Sequence, residues 1–171
     1  MDRRFQGESH NKVDGKGRVS IPVKFRRVLQ NCDAEYAPGG QPRLYIAYGD
    51  PKKNYIQCLS GDAFDRIDAI IQAQAPGSKQ QKLLMFLYYQ KCEATHLDET
   101  GRMVLPQAAR DKIGLEDEAL FEGHGTEFHI LNPAQAQSEE DRMLALIDEF
   151  AGGDDFFDPL TLASEPERPA P

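Results

Sequence analysis

Tryptophan is absent from this chain, cysteine occurs three times and histidine four. No run of residues approaches the roughly 18–20 apolar positions that a membrane-spanning helix needs. Each scarcity narrows the function. Cys32, Cys58 and Cys92 are odd in number and widely spaced, which argues for reduced thiols over a disulfide framework. His10, His96, His124 and His129 show no zinc-ligand spacing, so no metal and no cofactor is expected. The opening Met1-Asp2-Arg3-Arg4-Phe5-Gln6 lacks the apolar run of a signal peptide, and a cytoplasmic location is expected. Ser20 and Ser60 lack a nucleophile-elbow context. Glu139-Glu140-Asp141 suits the charge preference of a helix N-terminus better than acid–base chemistry. No catalytic residue is expected, and no enzyme. What remains is ordinary for a globular protein: 40% hydrophobic and 28% charged residues.

Two positive features stand out. The net charge of −8 conceals a gradient, because residues 1–30 carry +5, residues 31–113 carry 0 and residues 114–171 carry −13. Local charge decides docking, since charges beyond a Debye length of about 8–10 Å are screened. The chain also repeats itself. Val13-Asp14-Gly15-Lys16-Gly17-Arg18-Val19-Ser20-Ile21-Pro22 returns as Leu97-Asp98-Glu99-Thr100-Gly101-Arg102-Met103-Val104-Leu105-Pro106 at an offset of 84, which still holds at Arg26/Arg110 and Leu29/Ile113. A repeat of this length implies two copies of one small unit packed together, because a unit of about 50 residues buries little surface alone.

Each unit reads as hairpin, short helix, hairpin, longer helix. Phe5–Val13 and Arg18–Ile21 are expected to form a hairpin around Asp14-Gly15-Lys16-Gly17, followed by a helix over Val23–Gln30 whose first turn tolerates Pro22. Arg43–Gly49 and Asn54–Ser60 predict strands. Ser60 and Asp62 are candidate caps for a helix through Ala73, and Ser78–Gln90 reads as one further helix. In the second copy, Lys91–Leu97 with Arg102–Leu105 predict a hairpin, Pro106–Ile113 a helix stopped by Gly114, and Ala119–Gly123 with Glu127–Leu131 two strands ended by Asn132-Pro133. A last helix is expected over about Ser138–Phe150, with Ser138 and Asp141 as a capping box. The expected organisation is a first repeat at 5–75, a linking helix with the second repeat at 78–150, and an acidic, Pro-containing, disordered tail at 152–171. Phe64, Ile67, Leu83, Phe86, Met143 and Ile147 stand at helical spacing and read as core or subunit contacts.

Phe5-x-Gly7, the Asp14-Gly15-Lys16-Gly17-Arg18 motif running on through Pro22, Phe25 and Arg26, and Asp98-x-x-Gly101-Arg102-x-x-Leu105-Pro106-x-x-x-Arg110 together resemble the MraZ family of bacterial transcriptional regulators. The resemblance covers roughly residues 5–150. It implies an α+β, mainly β fold: two tandem AbrB-like (SpoVT-AbrB) swapped-hairpin units forming one pseudo-twofold β-barrel. It further implies a homo-oligomeric ring, nucleoid-associated, that binds direct repeats in promoter DNA. Such a protein would repress its own promoter and the division and cell-wall gene cluster. Lys16 and Arg18 match the family's DNA-contacting motif. The chain departs from the family at Phe128-His129-Ile130-Leu131, where a Phe-Glu-Ile-Trp-like strand is usual, and in the helix before the second copy, which carries only Lys79 and Lys82.

The residues themselves allow a plainer reading. A Lys-Gly-Arg turn can be a solvated turn, and Arg18, kept as Arg102 opposite a conserved-in-both-copies Asp14/Asp98, can bridge the turn structurally. Lys16 is replaced by Thr100, and the matched windows differ in charge: residues 13–29 hold five Lys/Arg and one Asp, residues 97–113 three of each sign. This asymmetry predicts that the first copy faces DNA and the second mainly completes the barrel and contacts neighbours. Lys24 and Arg27 lack basic counterparts and are candidate phosphate contacts. Arg26, recurring as Arg110, reads as a structural salt bridge. Arg3 and Arg4 form either a phosphate-binding arm or a frayed terminus. The rival reading is a structural or interaction module whose acidic C-terminal region recruits a protein partner.

Overall fold

The computed structural model describes residues 1–151 and 157–160. In chain order the elements are β1 (Glu8–Lys12), β2 (Arg18–Ser20), α1 (Val23–Asn31), β3 (Leu44–Ala47), β4 (Ile56–Ser60), α2 (Gly61–Ala73) and α3 (Lys79–Met85), which widens into a π turn over Phe86–Gln90. There follow β5 (Cys92–Thr95), β6 (Arg102–Val104), α4 (Gln107–Ile113), β7 (Glu118–Gly123), β8 (Glu127–Leu131) and α5 (Pro133–Ala151). The fold is α+β. The chain divides into a compact unit of residues 1–134 and a second unit beginning at Gln135. The tail expected over 152–171 lies outside the described residues apart from 157–160.

Local signals behave as their chemistry dictates. Ser60 caps α2, its hydroxyl accepting from the Ala63 N–H at 3.2 Å, and Ser78 caps α3 through Gln81 in the same way. Gly114 ends α4 at φ +61°, a conformation that costs a residue without a Cβ little. Two helices differ from expectation. Ser78–Gln90 is not one α-helix: Lys91 N–H bonds the Phe86 carbonyl, and the Lys91 carbonyl accepts from Tyr48 N–H, so the widened turn delivers the chain into β5 beside β3. The last helix starts at Pro133, not near Ser138. Asn132 Oδ1 accepts from Ala134 N–H at 3.0 Å, whereas the Ser138 hydroxyl donates back to the Gln135 carbonyl and caps nothing. Proline suits a first helical turn, so Asn132-Pro133 ends β8 and begins α5 at once.

Strand pairing departs furthest from the expectation. The second predicted hairpin of each copy forms, β3 with β4 and β7 with β8, but the first hairpin of neither copy forms as a ladder. β1 pairs with β7, Glu8 opposite Glu122, and β5 pairs with β3, Thr95 opposite Leu44. The Val13–Val19 bridge, the turn bonds of Asp14 and a 2.8 Å bond from Asn11 Nδ2 to the Ser20 carbonyl tie β1 to β2. β2 pairs instead with β6 in a two-stranded ribbon. Its register centres on Val19 opposite Met103, so Arg18–Val104 and Ser20–Arg102 exchange under the 84-residue offset. The larger sheet runs β1-β7-β8-β4-β3-β5. It has β1 and β5 as its edges, and no closed barrel is detected among the described residues. The three-residue ribbon strands satisfy each other and leave no ladder to bridge those edges.

The core lies between these layers. Phe5, Phe25, Phe121 and Phe128 are at most 2% exposed, joined by Leu29, Leu44, Ile56, Met103 and Leu105. Leu83 and Phe86 of α3 and its π turn, and Met143 and Ile147 of α5, are 40–57% exposed. They are not core residues.

Candidate nucleic-acid interface

The Asp-x-x-Gly-Arg motif folds the same way in both copies. Asp14 Oδ1 accepts from the Lys16 and Arg18 N–H groups at 3.0 and 2.9 Å, and Oδ2 from Arg18 Nε at 2.6 Å. Asp98 repeats this with Thr100, Arg102 and Arg102 Nε at 2.9, 3.0 and 2.9 Å. Bonds from the arginine N–H, foremost, and from the other turn donors hold both carboxyls below the usual aspartate range. Each turn closes through the glycine, Gly17 N–H to Asp14 O and Gly101 N–H to Asp98 O, with φ of +81° and +80°.

Each turn is then clasped by the other copy. Leu105 N–H bonds Gly17 O at 2.8 Å and Ile21 N–H bonds Gly101 O at 3.0 Å. Arg110 lies over Gly17 and donates to Leu105 O; Arg26 lies over Gly101 and donates to Ile21 O. The salt bridge expected of Arg26 is therefore a hydrogen bond to a backbone carbonyl.

Against this shared frame one difference is sharp. The Thr100 hydroxyl turns back onto Asp98 Oδ1 at 2.8 Å. Lys16 is exposed at the same place, and among the described residues its ammonium has no hydrogen bond or ion pair. Arg18 spends its Nε on the turn, which accords with the structural reading of that residue. Its relation to a ligand is carried by its position on the ribbon: Arg18, Ser20 and Arg102 line one cleft with Lys12, Asp117 and Glu118, while Val19 and Met103 between them are buried.

The other candidate cations do not gather around Lys16. Arg27 is exposed beside Asp98, Glu99 and Gly101 of the second copy's turn, and Lys24 places its ammonium against Gly7. Arg3 is neither a free arm nor frayed: its guanidinium donates to Asn31 O, at the end of α1, at 2.9 Å and lies 3.8 Å from Asp62. Arg4 donates to Arg3 O and flanks Gly125. The N-terminus is held because Asn31 Nδ2 and Cys32 Sγ also bond the carbonyls of Asp2 and Arg3.

No family model matches the chain. Curated relatives do. A protein of Ruegeria pomeroyi named Transcriptional regulator MraZ is 49% identical over 140 residues, 82% of this chain and 84% of that protein. One of the same name from Ruegeria sp. TM1040 is 45% identical over 161 residues, covering 94% and 95%. Another from Cereibacter sphaeroides ATCC 17025 is 37% identical over 123 residues, 72% of each. The chain belongs to the MraZ family. It is thus a transcriptional regulator by kinship.

Sequence reading alone places this MraZ-family chain's Arg102 in a copy that mainly completes the fold and contacts neighbours, and does not show that it shares an outward ribbon face with Arg18. The 84-residue offset was the signal: β2 and β6 pair in a register that the offset maps onto itself, so the same arginine is presented twice. A second cluster was also missed. His129 stacks between Tyr55 and His124, with centroids 3.8 Å apart on each side. It bonds Glu127 at 2.6 Å, and Glu127 accepts from Gln57. Burial, foremost, pushes the His129 imidazole below its ordinary 6.5, with His124 adding to the effect and Glu127 opposing it. The imidazole is neutral at neutral pH. A base whose folded pKa is depressed binds its proton more readily when unfolded, so stability is full above about 6.5 and declines as pH falls through that value. The thermal midpoint is expected to drop between about pH 7 and pH 5.5, and His129→Phe to shrink the drop. An imidazole titration midpoint above 6.5 by NMR would contradict this.

Proposed function

We propose that this regulator acts by binding DNA in a sequence-specific manner, without cofactor, and represses its own promoter and the division and cell-wall gene cluster. Several protomers, arranged as a ring, each present one Lys16 turn to direct repeats. The two sequence copies are intertwined in the swapped-hairpin manner, a reading supported by the β1–β7, β3–β5 and β2–β6 pairings. The observation that carries the DNA proposal is the unpaired Lys16 on a turn that is otherwise fully satisfied. A rigid turn offers its cation at little entropic cost, and Arg18 beside it can grip guanine O6 and N7 or a phosphate. Lys24 and Arg27 are supporting phosphate contacts on α1, and Arg3 and Arg4 are the weakest candidates because both are already bonded.

One turn neutralises few phosphates, so affinity comes from linking turns. Repeats about one helical turn apart, roughly 10–10.5 bp, keep the turns on one face of the duplex. In a mobility-shift titration on the protein's own upstream region, the wild type is expected to give laddered, salt-sensitive shifts. Lys16→Ala should weaken binding roughly tenfold or more and lower the salt slope. A shift indifferent to Lys16 would remove the mechanism. The rival reading, an acidic C-terminal region that recruits a protein partner, draws on α5, whose large apolar side chains are exposed. Partner capture indifferent to salt, with no DNA shift, would favour it.

A further inference from the structure

Two exposed apolar helix faces of this chain carry opposite charge. On α3 and its π turn, Leu83 is 57% and Phe86 40% exposed. They share a helical stripe with Lys79, which lies four positions before Leu83, and Lys82 adjoins it. From Gln74 to Cys92 the chain has Lys79, Lys82 and Lys91 and no acidic residue. Lys91 sets its ammonium 5.9 Å from the Phe86 ring centroid. On α5, Met143, Ile147 and Phe150 are 52, 45 and 72% exposed and fall at i, i+4 and i+7, one face of a helix. That helix carries Glu139, Glu140, Asp141, Asp148 and Glu149 against Arg142. Contiguous apolar surface of this kind is rarely left uncovered in a soluble protein.

We propose that α5 of one copy docks on the α3 face of a second copy, apolar stripe on apolar stripe, with the α5 carboxylates beside Lys79 and Lys82. Charge selects this pairing over its rivals. Two α5 helices face to face would set five acidic residues against five, and two α3 faces would oppose lysine to lysine. A contact between two different surfaces is head-to-tail, and repetition through a rotation that closes gives a ring. The inference deepens, and rests on, the multimeric part of the proposed function; it does not depend on DNA.

The test uses the full chain and measures mass by sedimentation velocity without DNA. Leu83→Glu removes the α3 face and Ile147→Glu the α5 face, both at exposed positions. Each variant alone is expected to be monomeric, and an equimolar mixture to form a dimer of one of each and nothing larger, because one intact α5 then meets one intact α3 face. As a second measure less demanding of folding, Lys82→Glu and Glu140→Lys should each loosen assembly and together restore part of it. Wild-type mass in both glutamate variants, or homodimers of Leu83→Glu with no mixed species, would overturn the α5–α3 contact while leaving a multimer standing. A wild type monomeric at every concentration would overturn the multimer itself, and the contact with it.

Discussion

Phe128→Ala is expected to destabilise the chain by about 4 kcal/mol, read as a lowered urea midpoint at an unchanged slope. Phe128 is fully buried. Its ring lies 5.0 Å from that of Phe5, 5.1 Å from Phe25 and 5.9 Å from Phe121, centroid to centroid. Those rings come from the N-terminal segment, α1 and β7, so a cavity at Phe128 is walled by three separately anchored elements. Collapse around the deletion is therefore limited, which puts the loss toward the upper end of the range for a buried aromatic. The two tilted and one stacked ring contacts of Phe128 add about 0.5–1.5 kcal/mol each beyond area alone. Ile70→Ala, at a 54% exposed position of α2, should change the midpoint by no more than about 0.5 kcal/mol. A Phe128→Ala loss under about 2 kcal/mol would mean that the four rings do not act as one packed centre.

Gly17→Ala should cost about 2–3 kcal/mol, and Gly101→Ala less, because there the atoms nearest a Cβ are those of the movable Arg26 guanidinium. Positive φ alone accounts for about 1–2 kcal/mol at a non-glycine residue. Space supplies the rest: a Cβ on Gly17 would sit 2.8 Å from the Leu105 carbonyl oxygen and 2.8 Å from Arg110 Nε, and one on Gly101 would sit 2.5 Å from Arg26 Nη1. Leu105 O cannot swing aside freely, because it holds Arg110 Nε at 3.0 Å. Gly15, two positions earlier, is the control. Nothing lies within 4 Å of its added Cβ and its φ is not positive, so Gly15→Ala should be neutral within about 0.5 kcal/mol. Equal losses at positions 15 and 17 in chemical denaturation would refute the clasp.

Much of this was readable from residues in order, and the reason is locality. Asp14 and Asp98 organise turns only four residues long, and Ser60 and Gly114 mark helix ends through their own side chains or lack of one. Strand partners are a different kind of information. Val13 and Val19 fit a hairpin ladder as well as they fit the lone bridge that forms, and only the packing of the second copy decides that β1 goes to β7. The same crossing explains the scattered cations. Lys24 and Arg27 follow Lys16 closely in the chain, yet the helix laid against the first turn is α4, so Arg110 is the neighbour, and Arg27 lines a cleft with Asp98 and Glu99. Arg3 had no legible partner because a backbone carbonyl, here that of Asn31, leaves no mark in residue type. Asn132-Pro133 was half legible: it was read as a stop and is also a start.

The exchange of strands between copies also governs how the chain is made. Glu8 finds its partner at Glu122, 114 positions later, and β4 finds its partner in β8. Pairings so distant in sequence must bear the entropy of closing long loops before they are rewarded, which slows folding. On the ribosome, the first copy emerges with β1 lacking β7, β4 lacking β8 and β3 lacking β5. At about 5–20 residues per second, several seconds of synthesis separate β1 from β7. Through that interval the nascent chain exposes unpaired strand edges beside Phe5 and Phe25. It is then open to aggregation and to pairing with another nascent copy in place of its own second half.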